Sequence, residues 1–303
     1  MDDVVLAIDL GGTKVEAALV DRDGVISSGS RRRSETGPGA GFAELRDALG
    51  EVVLGTVSAR LSTQIITAVG IGSAGPLSSG EATVSPLNLP VHDFPIVAVV
   101  REVVGDALPI RLALDGTCIA LAESRFGAAS GVSNSVSMVV STGVGGGIVI
   151  DGVPIGGEHG NAGHIGQLRV AADESAEDPT VGTLESVASG PATVAWARGQ
   201  RWSGQTGMDL AESAQTGDLV ARAAIERSAK AVGQTLAGVC ALLDVGLIVI
   251  GGGFSLVSGD YVHLVQQSAR SAAVLPAART VRVVRAALGS DAPLVGAALL
   301  TFP

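Results

Sequence analysis

The hexapeptide Asp9-Leu10-Gly11-Gly12-Thr13-Lys14 puts a carboxylate, a hydroxyl and an ammonium on one glycine-rich turn between the apolar runs 4–8 and 15–20. Glycines allow a turn tight enough for backbone N–H groups to face an anion, so the chemistry these residues could do is to hold a phosphate. Taken alone, the same residues also suit a plain hairpin turn. The pattern returns, however, further along the chain. Residues 135–140 form another apolar run, Ser141-Thr142-Gly143-Val144-Gly145-Gly146-Gly147 another hydroxyl-bearing glycine turn, and 148–150 the start of a return strand. Each copy runs into an acidic-glycine turn, Asp21-Arg22-Asp23-Gly24 and Asp151-Gly152. Copies so far apart exclude a solenoid and predict two related domains, whose turns would hold a polyphosphate from both sides of a cleft.

Other residues with chemical potential lie at strand ends. Gly70-Ile71-Gly72-Ser73-Ala74-Gly75-Pro76 leaves the C-terminal end of the apolar run 65–71, where open α/β sheets place ligands. Pro86-Leu87-Asn88-Leu89-Pro90 fixes an amide between two prolines, suited either to a hydroxylated ligand or to an ordinary turn. Asp115 follows the apolar run 110–114 and opens a helix, as an N-cap or as a general base.

The elements that must carry these residues read as alternating strands and helices. Apolar residues at helical spacing predict a helix over 42–61, with further helices over 96–104, from 115 to 123, over 196–230, 230–243, 261–273 and 292–300. A third strand is expected at 25–31, then a polar loop over 32–41, a strand at 247–250 and an edge strand at 281–285. With 303 residues, 47 % hydrophobic and 17 % charged, the chain can bury a core large enough for two domains. A net charge of −10 argues against a nucleic-acid or acidic-membrane surface. No apolar run reaches the ~20 residues of a membrane span without Gly or Asp inside it, and the first strand begins too early for a signal peptide. Cys118 and Cys240 fall in apolar helical segments and suggest no disulfide framework. The expectation is a cytoplasmic protein.

Together these motifs resemble the ROK sugar kinases, relatives of hexokinase within the actin-like superfamily, along nearly the whole chain. Residues 8–14 look like the family's first phosphate motif, 141–147 like its second, and Leu247-Ile248-Val249-Ile250-Gly251-Gly252-Gly253 like its adenosine motif. The resemblance implies an α/β, two-domain actin/hexokinase-like (RNase H-like) fold, with residues 1–115 plus 290–303 in one domain and 116–289 in the other. It implies an ATP-dependent kinase phosphorylating a hexose or an amino or N-acetylamino hexose, at the 6-hydroxyl, with Mg²⁺. Asp115 would be the general base; Gly75, Asn88, Asp115, His164 and Glu185 would contact sugar. Asp9, Gly11, Gly12, Thr13, Lys14, Thr142, Gly143, Gly145, Gly251, Gly252 and Gly253 would serve ATP. A homodimer is expected, and the alternative is a catalytically inactive sugar sensor or partner-binding protein of the same fold. A repressor's helix-turn-helix is not expected, with three residues ahead of the first strand.

Three departures from the family pattern stand out. Leu114 occupies the place of an Asn before the base, His164 that of a sugar-binding Glu, and Gln167 that of a zinc-binding His. No Cys lies between 170 and 182, so no structural zinc is expected.

Overall fold

The computed structural model describes residues 2–37, 39–78, 82–87, 89–170 and 178–302. Its contacts divide the chain into two compact units. The first comprises Met1–Phe126, Val153–Gly163 and Ser290–Pro303; the second, Gly127–Gly152 and His164–Gly289.

The first unit is built on a five-stranded sheet of order β3-β2-β1-β4-β5. Strands β1 (Asp2–Leu10) and β2 (Lys14–Asp21) form an antiparallel hairpin, and their residues from Val4 to Val20 are almost entirely buried. β4 (Gln64–Ser73) lies parallel to β1, and β5 (Ile110–Leu114) parallel to β4. Helices α1 (Phe42–Ser58) and α2 (Ile96–Val104) cover one face through Leu45, Leu49, Val52, Val53, Val99 and Val100. α3 (Asp115–Phe126) packs on α9 (Ala292–Leu299) over the other, where Leu294, Ala297, Ala298 and Cys118 meet Val5, Ala7 and Ala18.

The strand expected at 25–31 is not formed. Gly29 takes a left-handed conformation (φ 73°) and the Ser30 amide closes a turn on the Ser27 carbonyl. The third strand, β3, is Arg32–Glu35, the polar stretch read as loop, and it pairs with Lys14–Ala17. As an edge strand it needs no buried face and keeps its charges in water, Arg33 bonding Glu35.

In the second unit β6 (Ser135–Val140) pairs antiparallel with β7 (Val144–Ile150) and parallel with β9 (Leu247–Gly251), which pairs with β10 (Arg282–Arg285). The two-residue strand β8 (Val153–Pro154) follows the Asp151-Gly152 turn. Gly145, Gly146 and Gly147 lie inside β7, opposite Val139, Met138 and Ser137, and not in the turn where the sequence suggested them. Helices α4 (Leu184–Ala188), α5 (Gly190–Gly199), α6 (Gly207–Gln215), α7 (Leu219–Leu243) and α8 (Tyr261–Ala272) build its core on Leu184, Ile225, Val232, Leu236 and Tyr261. α7 is one continuous helix where two segments were expected. Asp218 caps its start by accepting the Ala221 amide at 2.9 Å, and Asp244 ends it in the left-handed region. Among the described residues no helix is long and apolar enough to cross a membrane.

Candidate active site

Parallel pairing brings the chemical residues of the first unit together. Asp9 of β1 is in register with Gly72 of β4, and Leu114 of β5 with Ser73, so Asp115 emerges at the same sheet edge as Asp9. Both carboxyls are pushed up. Asp9 rises from an ordinary 3.8 to about 7 because burial strips its water and because Asp115 lies near; Lys14 opposes this and Glu16 adds to it. Asp115 rises to about 6 through burial, opposed by the Gly116 amide that donates to its Oδ1 at 2.7 Å. Leu114, beside it, is 3 % exposed and offers no hydrogen-bonding atom.

The Gly11–Lys14 turn is closed by the Gly11 amide, which donates to the Lys14 carbonyl at 3.0 Å. That N–H is spent within the turn; Gly12 stays partly open and Thr13 exposed. The Thr13 carbonyl is fixed by the amide of Thr36 at 2.9 Å. Lys14 forms an ion pair with Glu16, whose position opposite Asp9 on the hairpin is only 6 % exposed. Periodicity alone had not singled out Glu16. A charged residue inside an otherwise apolar strand was the signal that could have found it.

Gly75 leads into a cis peptide bond to Pro76. The Leu87 amide donates to the Gly75 carbonyl at 3.2 Å, returning the loop toward it; Asn88 lies outside the described residues. Asn161, missed by the sequence reading, clamps this loop: it accepts from the Leu77 amide at 2.7 Å and donates to the Leu77 carbonyl at 2.8 Å.

The second unit assembles another set. In the turn of Ser141, Thr142 and Gly143 the Ser141 amide donates to the Gly143 carbonyl at 2.9 Å, leaving Thr142 exposed. Gly252, at φ 90°, lies so close to β6 that a Cβ would sit 2.5 Å from the Val140 carbonyl oxygen, and Gly253 follows beside Ser141. Thus Gly252 and Gly253, which follow Gly251 at the end of β9, adjoin the second glycine turn. His164 precedes and Gln167 ends the 3₁₀ turn Ile165–Gln167, held against β7 because Gly166 has no side chain: a Cβ there would fall 2.0 Å from the Val144 carbonyl oxygen. Gln167 Nε2 reaches Glu185 Oε1 at 3.5 Å, and the Val144 amide donates to Glu185 Oε2 at 2.8 Å. Burial lowers the His164 pKa, with Glu185 opposing; its Nε2 is buried without a hydrogen-bond partner. No group of three His, Cys, Asp or Glu side chains that could hold a metal occurs among the described residues. Positions 171–177, within the stretch that lacks Cys, lie outside them.

The ROK family model matches residues 5–302. This chain belongs to the ROK family. The ROK chain is 34 % identical, over 97 % of its length and 97 % of the relative's, to an N-acetylmannosamine kinase of Yersinia pseudotuberculosis. Among solved structures it is similar to a ROK family glucokinase from Streptomyces griseus in complex with glucose and AMPPNP, at 31 % identity and a TM-score of 0.82 over 98 % of both chains. A ROK hexokinase from Thermus thermophilus gives 32 % identity and a TM-score of 0.82, covering 98 % of this chain and 97 % of that one.

Proposed function

We infer that this ROK protein is an ATP-dependent sugar kinase in which Asp115 is the general base and the sugar is a modified hexose. The observation that carries the reading is the half-buried carboxyl of Asp115 at the end of β5, with a pKa near 6 beside the buried Asp9. A base of that strength is ionised at neutral pH yet basic enough to take the proton of an attacking hydroxyl. The Gly116 N–H fixes Oδ1, leaving Oδ2 for that proton.

Among the charges acting on Asp9, Asp115 and Glu16 are opposed by Lys14, a surplus of negative charge that suits Mg²⁺ accompanying the nucleotide. When bound, that ion would neutralise charge on the transferred phosphoryl group. Asp9 would orient it, while Gly11, Gly12, Thr13, Lys14, Thr142, Gly143, Gly145, Gly251, Gly252 and Gly253 serve ATP. Asn88, Gly75, His164 and Glu185 would orient the sugar so that its 6-hydroxyl meets Asp115. Exclusion of water from such a site protects ATP from hydrolysis. The domains are read as residues 1–115 plus 290–303 and residues 116–289, and the protein as a cytoplasmic homodimer.

The sugar preference follows from two side chains. A hydroxyl left unpaired against Leu114 would cost about 1–3 kcal/mol, which disfavours glucose. His164 Nε2, buried and unpartnered, can donate to an amide carbonyl or accept from an N–H. A relative named as an N-acetylmannosamine kinase supports the same class. The test is ADP release, coupled to a reporter enzyme, over glucose, mannose, N-acetylglucosamine, N-acetylmannosamine and amino-deoxyglucoses. N-acetylamino or amino sugars should lead glucose by about 10- to 100-fold in kcat/KM; glucose at the top would refute the assignment.

A further inference from the structure

The carboxylate of Glu185 occupies one amide of the turn that is to receive phosphate. Its Oε2 accepts from the Val144 N–H at 2.8 Å and lies 2.7 Å from where a Cβ on Gly143 would stand, so it rests directly against the turn. The other oxygen is held only loosely, by Gln167 Nε2 at 3.5 Å, the outer edge of hydrogen bonding. Beside it His164 Nε2 has no partner. The side chain is carried on the first turn of α4, where Thr183 caps the helix by accepting the Ser186 amide at 3.3 Å. That fixes its backbone, so a move of the carboxylate would be a rotation about its three χ angles.

A carboxylate oxygen on a turn amide uses the kind of donor a phosphate oxygen uses, and its charge repels a polyphosphate. Glu185 is itself read here as a sugar ligand, and its loosely held Oε1 meets Gln167, three residues from His164. One carboxylate therefore belongs to both binding functions, and it cannot serve both at full strength at once.

We propose that Glu185 makes nucleotide binding depend on sugar: without sugar its carboxylate holds the Val144 amide, and a sugar hydroxyl that draws the carboxylate away releases that amide to a phosphate oxygen. The proposal rests on the kinase reading above and deepens it. Linkage requires the converse, that nucleotide strengthens sugar binding by the same factor.

The experiment is calorimetric titration of the full chain with Mg²⁺-AMPPNP, with and without saturating concentrations of the best sugar from the turnover panel. Wild-type protein should bind AMPPNP about 5- to 150-fold more tightly with sugar, the span usual for such coupling. Glu185→Ala, measured without sugar, should bind AMPPNP more tightly than sugar-free wild type, whereas a carboxylate that merely braced the turn would make the same variant bind less tightly. Glu185→Gln keeps an acceptor for the Val144 N–H but loses the charge, and should fall between the two; it also serves should the Ala variant not fold. Equal AMPPNP affinity with and without sugar in the wild type, or weaker sugar-free binding in both variants, overturns the coupling even if sugar turnover is normal. Absence of turnover on every sugar would instead count against the kinase reading.

Discussion

The two glycine turns proposed to bind phosphate have related sequences and different electrostatics. The turn after β1 is surrounded by charges from its own hairpin: Asp9 and Glu16 face each other across the strands, and Lys14 pairs with Glu16. The turn after β6 carries no charged side chain of its own, and its nearest carboxylate, Glu185, comes from α4. The first thus combines a turn proposed to bind phosphate with charge that a cation can use. The second is a neutral backbone cradle whose charge is supplied from elsewhere in the chain and can be withdrawn. Charge confined to the first turn is also why acid–base chemistry is assigned to the first unit.

The sharpest way to break that contrast is to remove the base. Asp115→Asn should leave folding intact, since the amide Oδ1 still accepts the Gly116 N–H, but lower kcat by about 10²- to 10⁴-fold, the range of general-base contributions. Near-normal turnover would take Asp115 out of the mechanism. Because Asp115 and Asp9 must be ionised to act, kcat/KM should fall as the pH drops through about 7 and about 6, the values set by their burial.

Asp9 should next reveal a cost to stability. Its folded pKa, about 7, exceeds the ordinary 3.8, so the folded chain holds that proton more tightly than the unfolded chain. Its contribution is fully present below the unfolded value and is lost as pH rises through the folded one, by about 1.4 kcal/mol for each pH unit in between at most. Asp9→Asn should therefore raise the Tm of the ligand-free protein at pH 8 while reducing activity. A Tm unchanged or lowered at pH 8 would show that Asp9 is not destabilised by its surroundings.

Two glycines, one in the neutral turn and one packed beside it, sharpen the contrast. At Gly166 an added Cβ meets the Val144 carbonyl oxygen at 2.0 Å, an obstruction of backbone by backbone, whereas at Gly143 it meets only Glu185 Oε2, the end of a side chain. Gly166→Ala should cost about 1–3 kcal/mol in denaturant unfolding, and Gly143→Ala clearly less. The reverse order would mean that the Glu185 carboxylate is the more rigid neighbour. The smallest effect concerns metal: elemental analysis should find no stoichiometric zinc, and a chelator should inhibit only by sequestering Mg²⁺. About one zinc per chain would refute this.

Local signals fixed much of what could be read in advance. The bounds of α2, β5 and β6 are those the apolar pattern gave, because burial of a strand or helix face is written residue by residue. The first glycine turn, the start of the second at Ser141 and the placing of Asp115 at a strand end were legible for the same reason, and Cys118 and Cys240 are indeed buried in helices. The tertiary structure decided the rest. Whether Arg32–Glu35 or the preceding segment completed the first sheet depended on which backbone could pair with β2, and the polar sequence was tolerated because that edge faces water. Whether Asp9 and Asp115 titrate near neutrality depended on burial under segments far away in the chain. That Glu185 reaches the Val144 amide across a separation of 41 positions is a matter of packing alone. Sequence patterns report a residue's own preference for water or core, but a pKa or a shared hydrogen bond is a property of the neighbours that folding brings to it.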